Sequence, residues 1–104
     1  MPKHFIGTTQ ELESLMKTSL SRYVSDESFL LEIENMENQE KINTLEAIAT
    51  CIDKHYVENL DYIRTLDGSI HIRHFVRDLQ TDDNITKDSH PVCLSEQGKI
   101  FLGI

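Results

Sequence analysis

The sequence predicts an α+β domain: about three N-terminal helices followed by a small antiparallel sheet of two hairpins. Three observations carry this reading. Apolar residues recur every three or four positions between Leu12 and Leu60. β-branched and aromatic residues then gather on both sides of Asp67-Gly68. A short apolar stretch, Ile100-Phe101-Leu102, stands near the C-terminal end of the sequence. With 104 residues, 38% of them hydrophobic, residues 1–104 are read as a single small acidic domain with one core.

The first helix is marked by Thr8, three residues before Glu11, the spacing of a capping box. Leu12, Leu15, Met16, Leu20, Tyr23 and Val24 follow as an apolar stripe. Ser25 or Asp26 is expected to cap a second helix whose buried side is Phe29, Leu30, Ile33 and Met36. Asn38 is expected to cap the third. There Ile42, Leu45, Ile48, Ala49, Ile52, Tyr56 and Leu60 keep the helical spacing, and the helix is expected to end near Asn59.

Asp67-Gly68 is a preferred centre for a two-residue type I′ turn. A hairpin built on it sets Thr65 opposite Ile70, Ile63 opposite Ile72, and Tyr62 opposite Arg73. Tyr62, Arg64, His71, Arg73 and Phe75 then share one face. The alternative is continuation of the third helix to Leu66, with Gly68 beyond its end. His71 and His74 are three apart, so in a strand they point to opposite faces and cannot chelate one ion together. Residues 79–91 are polar and read as a loop. Val92-Cys93-Leu94 and the stretch from Lys99 to Ile104 read as a closing hairpin turning at Glu96-Gln97-Gly98.

The formal charge is −8, and between Asp26 and Asp61 ten acidic residues face only Lys41 and Lys54. The rest of the chain balances. The acidic segment should project a negative field, which disfavours nucleic acid and anionic membrane and favours basic protein surfaces. No apolar run is long enough for a signal peptide or a membrane span, so the sequence reads as a soluble, cytoplasmic protein.

Motifs for chemistry are sparse. Cys51 and His55 are four apart on the third helix, and His90 and Cys93 form a second close pair. Two thiolates and two imidazoles are a donor set zinc accepts, although the Cys-x-x-Cys pattern is missing. Asp82, Asn84, Thr86 and Asp88 alternate as in a calcium loop. The sixth and twelfth places of that loop hold Lys87 and Cys93, not glycine and glutamate. The scattered glycines form no phosphate cradle. Arg64, Arg73 and Arg77 with His71, Tyr62 and Phe75 make a small basic and aromatic set, opposed by the acidic whole.

The expectation is a non-catalytic binding module of inhibitor, immunity or adaptor type, with no cofactor and no enzyme activity. Its basic partner is a protein such as a nuclease or a nucleic-acid-binding regulator. The expected contacts are Glu27, Glu32, Glu34, Glu37, Glu40, Glu46, Asp53 and Glu58, with Tyr56 and Tyr62 as anchors. The alternatives are a small zinc- or cysteine-dependent enzyme using Cys51, His55, His90 and Cys93, and a structural homodimer joined through the third helix. Protonation of all five histidines would take the charge from −8 to −3, so binding to a basic partner should loosen below about pH 6.

Overall fold

The computed structural model describes residues 4–26, 28–58, 60–74 and 93–104. The first helix, α1, spans Thr9–Ser25 and starts as its sequence dictates. The Thr8 hydroxyl accepts from the Glu11 amide at 3.0 Å, and the Glu11 carboxylate accepts from the Thr8 amide at 2.9 Å. Leu12, Met16, Leu20 and Tyr23 are buried, with Leu15 and Val24 packed beside them.

Asp26 does not cap the next helix with its side chain. Its carboxylate accepts from the Ser28 amide and hydroxyl, closing a turn between the helices. Helix α2, Phe29–Glu34, is short and buries Phe29 and Ile33. Leu30, expected inside, is 36% exposed.

Helix α3, Asn38–Asp53, is the centre of the fold. Asn38 gives no side-chain cap; it takes φ +48°, a left-handed conformation that asparagine tolerates. Thr44, Ala47, Ile48 and Cys51 form its innermost stripe, while Glu46 and Ala49 on the flank are also buried. This burial is wider than a helix on a surface needs, because α3 packs against α1 and α2 on one side and strands on the other. Ile42, expected in the core, is 41% exposed. The N-terminal arm is tied to the same helix: Asn43 bonds both backbone groups of Ile6, and Phe5 is buried.

The helix ends six residues before the expected position. His55 takes φ +60°, and the amides of His55 and Tyr56 bond back to the carbonyls of Ile52 and Cys51. This is a Schellman closure with histidine where glycine is usual. The freed chain forms strand β1, Val57–Glu58, and then β2, Leu60–Arg64. Strand β3, Ile70–His74, returns antiparallel to β2, so the expected hairpin is present.

Its register is one residue from the expected one. Tyr62 pairs with Ile72 and Arg64 with Ile70. The loop is Leu66-Asp67-Gly68, with the Thr65 amide bonded to the Ser69 carbonyl, the Gly68 amide to the Thr65 carbonyl, and Gly68 at φ +91°. That is a three-residue turn with a bulge glycine. The Asp67 carboxylate holds it by accepting from the Ser69 amide and the Thr65 hydroxyl.

The expected closing hairpin is replaced. Strand β4, Cys93–Leu94, pairs antiparallel with β1, far away in sequence. Residues Glu96–Leu102 are a helix, α4, capped by Ser95 and ended by Gly103 at φ +78°. The arrangement is α+β, with about three N-terminal helices followed by small antiparallel two-stranded sheets. No helix among the described residues is long and apolar enough to cross a membrane.

Candidate functional site

The structure divides the acidic segment into carboxylates with internal partners and carboxylates without. Arg22 bonds both Asp26 and Glu32. Arg64 makes a two-point pair with Glu46, with N–O distances of 2.8 and 2.9 Å. Arg73 bonds Asp61 across β2 and β3. Each of these arginines lies outside the acidic segment, so folding brings in the neutralising charge that sequence distance hides. Asp53 accepts from the Tyr62 hydroxyl at 2.9 and 3.0 Å.

These pairs leave their mark on ionisation. Arg22, together with the Ser28 donors, holds the Asp26 carboxyl at about 2. The Arg22 guanidinium likewise lowers Glu32, and Arg73 lowers Asp61. Asp67 is held at about 2 by the Thr65 hydroxyl and the Ser69 donors.

Glu46 cannot belong to an outward acidic face, because it is 1% exposed and serves as the inward partner of Arg64. Glu32 and Asp53 are exposed but engaged. Tyr56 is half-buried and stacks on Phe101 at a centroid separation of 4.6 Å. Tyr62 is also half-buried. Neither tyrosine projects freely as an anchor. Glu27 lies outside the described residues, and Glu58 is exposed on β1.

Glu58 has no partner for its carboxylate among the described residues, but it stands past the far end of α3; Glu34, Glu37 and Glu40 remain as a group. All are exposed, and among the described residues no ion pair or hydrogen bond holds their carboxylates. They occupy the corner where α2 gives way to α3. Glu34 also looks into a groove of about 510 Å³ between α3 and the hairpin. Ile42 and Leu45 form one wall of that groove, with Lys41 on the same side; Ile70, His71 and Ile72 form the other.

The other candidate constellations come apart. Cys51 is buried, its thiol directed to the Met16 carbonyl at 3.9 Å, and burial pushes its pKa up to about 12. His55 stands beyond the helix end and is exposed, so it shares no helical face with Cys51. Cys93 is exposed on β4, while His90 lies outside the described residues. Among the described residues, no three His, Cys, Asp or Glu side chains are grouped to hold a metal. The calcium-like run from Asp82 to Asp88 also lies outside them.

The one-residue register shift breaks up the basic and aromatic set. Tyr62 and Arg64 now turn toward α3, where they meet Asp53 and Glu46. His71 and Arg73 occupy the opposite row with Ile63 and Asp61. Phe75 and Arg77 lie outside the described residues. Most of the apolar stripe of α3, the expected dimer seam, packs against α1 and the strands of its own chain, with Ile42 left exposed and Leu45 partly covered.

No family model matches the chain, and no curated protein or solved structure is significantly similar to it.

Proposed function

We propose that this chain is a non-catalytic binding module, of inhibitor, immunity or adaptor type, that docks a basic protein surface through the corner between α2 and α3. The observation that carries the reading is selective neutralisation. Asp26, Glu32, Glu46 and Asp61 are held by the chain's own arginines, whereas Glu34, Glu37 and Glu40 are exposed and unheld among the described residues. Carboxylates left in this state raise the association rate with a cationic partner and lend less to the stability of the fold.

The test is capture from host extract on the immobilised chain, compared with a Glu34→Lys, Glu37→Lys, Glu40→Lys variant. A basic protein should be retained by the wild type and lost by the variant. Its association rate should fall about tenfold between low and physiological salt. Equal capture by both chains, or an association rate indifferent to salt, rejects the reading.

A further inference from the structure

The groove beside α3 has a second property besides its walls. Thr65 and Ser69 are a hydrogen-bonded pair, with the Thr65 amide 2.9 Å from the Ser69 carbonyl. Bonded and non-bonded pairs alternate along an antiparallel ladder, so the next bonded pairs are Ile63 with His71 and Asp61 with Arg73. The amide and carbonyl groups of Ile70 and Ile72 therefore point away from β2, toward the other edge of β3, which pairs with no strand among the described residues. The Tyr62 amide, on the opposite edge of the hairpin by the same rule, finds the Asp61 carboxylate at 2.7 Å. Among the described residues no hydrogen bond satisfies the backbone of Ile70 or Ile72.

A strand edge of this kind is a template for another strand. The groove next to it has the walls an added strand needs. Ile42 is 41% exposed, and Leu45 and Ile72 are only partly covered. Glu34 stands at the rim without a partner among the described residues. With Glu37 and Glu40 close in sequence and only Lys41 opposing them, this corner is net negative.

We propose that the edge of β3 is a peptide-docking site. An extended segment of the basic partner adds antiparallel to β3, its alternate apolar side chains lie in the groove against Ile42 and Leu45, and a Lys or Arg in the same row meets Glu34. This rests on the reading of the chain as a binding module and specifies how the partner is held. A second copy is the poorer occupant, because it brings the same formal charge of −8 to an already acidic corner.

The experiment is amide-resolved NMR on the full chain, following chemical shifts and hydrogen exchange. The probe is a capped hexapeptide, Thr-Val-Thr-Val-Thr-Lys, and its counterpart with Glu in place of Lys. In an antiparallel third strand the valines face the groove, and their amides face Ile70 and Ile72. The Lys peptide should shift these two amides and slow their exchange. N-methylation of both valines should abolish the effect; N-methylation of the first two threonines, whose amides face water, should preserve it. The Lys peptide should bind about three- to tenfold more tightly than the Glu peptide, and Glu34→Lys should reverse the order.

Slow exchange at Ile70 and Ile72 in the dilute, peptide-free chain overturns the proposal, because the edge is then already covered. Exchange that slows as the chain is concentrated also overturns it, in favour of a second copy. Shifts confined to Glu37 and Glu40, with Ile70 and Ile72 unmoved, reject the strand addition while leaving the acidic corner as a docking surface. Binding of neither peptide rejects the edge and leaves the corner to its own capture test.

Discussion

The carboxylate of Glu46 meets the guanidinium of Arg64 at two points, joining the middle of α3 to the loop end of β2. Glu46 is buried, whereas 36% of the Arg64 side chain is exposed. Arg64 also donates to the Gly68 carbonyl at 3.3 Å, so the same side chain braces the loop. The pair orients the hairpin on the helix, and with it the edge of β3.

Breaking this pair from one side should be costly. Arg64→Ala leaves a carboxylate inside without a partner and should lower stability by about 2–3 kcal/mol, with partial exposure of Arg64 keeping the loss below that of a fully buried pair. Glu46→Met, which removes the buried charge and keeps most of its volume, should cost less. Urea midpoints of the two single variants and the double variant check this. The double variant should lose less than the sum of the singles.

Gly98 cannot carry a side chain. A Cβ built there lies 2.1 Å from the Tyr56 carbonyl oxygen, which is backbone and cannot swing aside. Gly98→Ala should push α4 off the end of α3 and destabilise the protein by about 2–3 kcal/mol. The readout is a lower melting temperature, together with lost exchange protection over Glu96–Leu102. An unchanged variant would mean that α4 is not seated as described.

The closure of α3 predicts a change in the other direction. His55 occupies a left-handed position at φ +60°, where glycine has no steric penalty. His55→Gly should stabilise the fold by about 0.5–1 kcal/mol, and His55→Val should destabilise it. Thermal unfolding of the three chains would rank them Gly, His, Val.

Acid should unfold the chain through named carboxylates. Asp26 and Asp67 are held at about 2, against an ordinary 3.8, and Glu11, Glu32 and Asp61 are also lowered. The unfolded chain then binds more protons than the folded one between these limits. Their contribution to stability is therefore complete only above about pH 5 and falls progressively as pH drops toward about 2. Asp26→Asn with Asp67→Asn should flatten this acid limb in a stability–pH series.

Alkali acts on a different group. The folded Cys51 thiol titrates at about 12, against an ordinary 9.0, so above pH 9.0 the unfolded chain ionises first. Stability should decline through that window, and Cys51→Ala should remove that part of the decline while adding a pH-independent packing loss.

The parts of the fold legible in the sequence are those set by local chemistry. Thr8 and Glu11 are three residues apart, and their reciprocal bonds form as the spacing predicts. The hairpin around Asp67-Gly68 also forms, since Asp and Gly suit more than one turn. That same tolerance hid the register. The choice between the two pairings is made by contacts across the fold: Leu60 and Ile70 are buried, and Arg64 reaches Glu46. The end of α3 was obscured because histidine, an uncommon residue for the task, performs the stop while Tyr56 and Leu60 continue the apolar spacing.

The last helix did carry signals. Ser95 and Gly103 bracket it as cap and stop, but Ile100-Phe101-Leu102 resembles a strand, and Gly98 resembles a turn. The candidate site was legible only in outline. Ten carboxylates between Asp26 and Asp61 suggest a broad anionic face. Three arginines outside that segment hold four of them, and only the Arg22–Asp26 pair, four residues apart, is visible in a short window.

The turn that closes α3 has one more effect. It leaves the carbonyls of His55 and Tyr56 pointing outward, and Ser95 takes both: its hydroxyl donates to His55 at 2.5 Å and its amide to Tyr56 at 3.0 Å. The turn that follows α3 is thus bonded to the residue that caps α4. Loosening of that turn strips the α4 cap of its partners, so the two should give way together, and a spectroscopic reporter on α4 should register the loosening of the α3 closure at the same denaturant concentration.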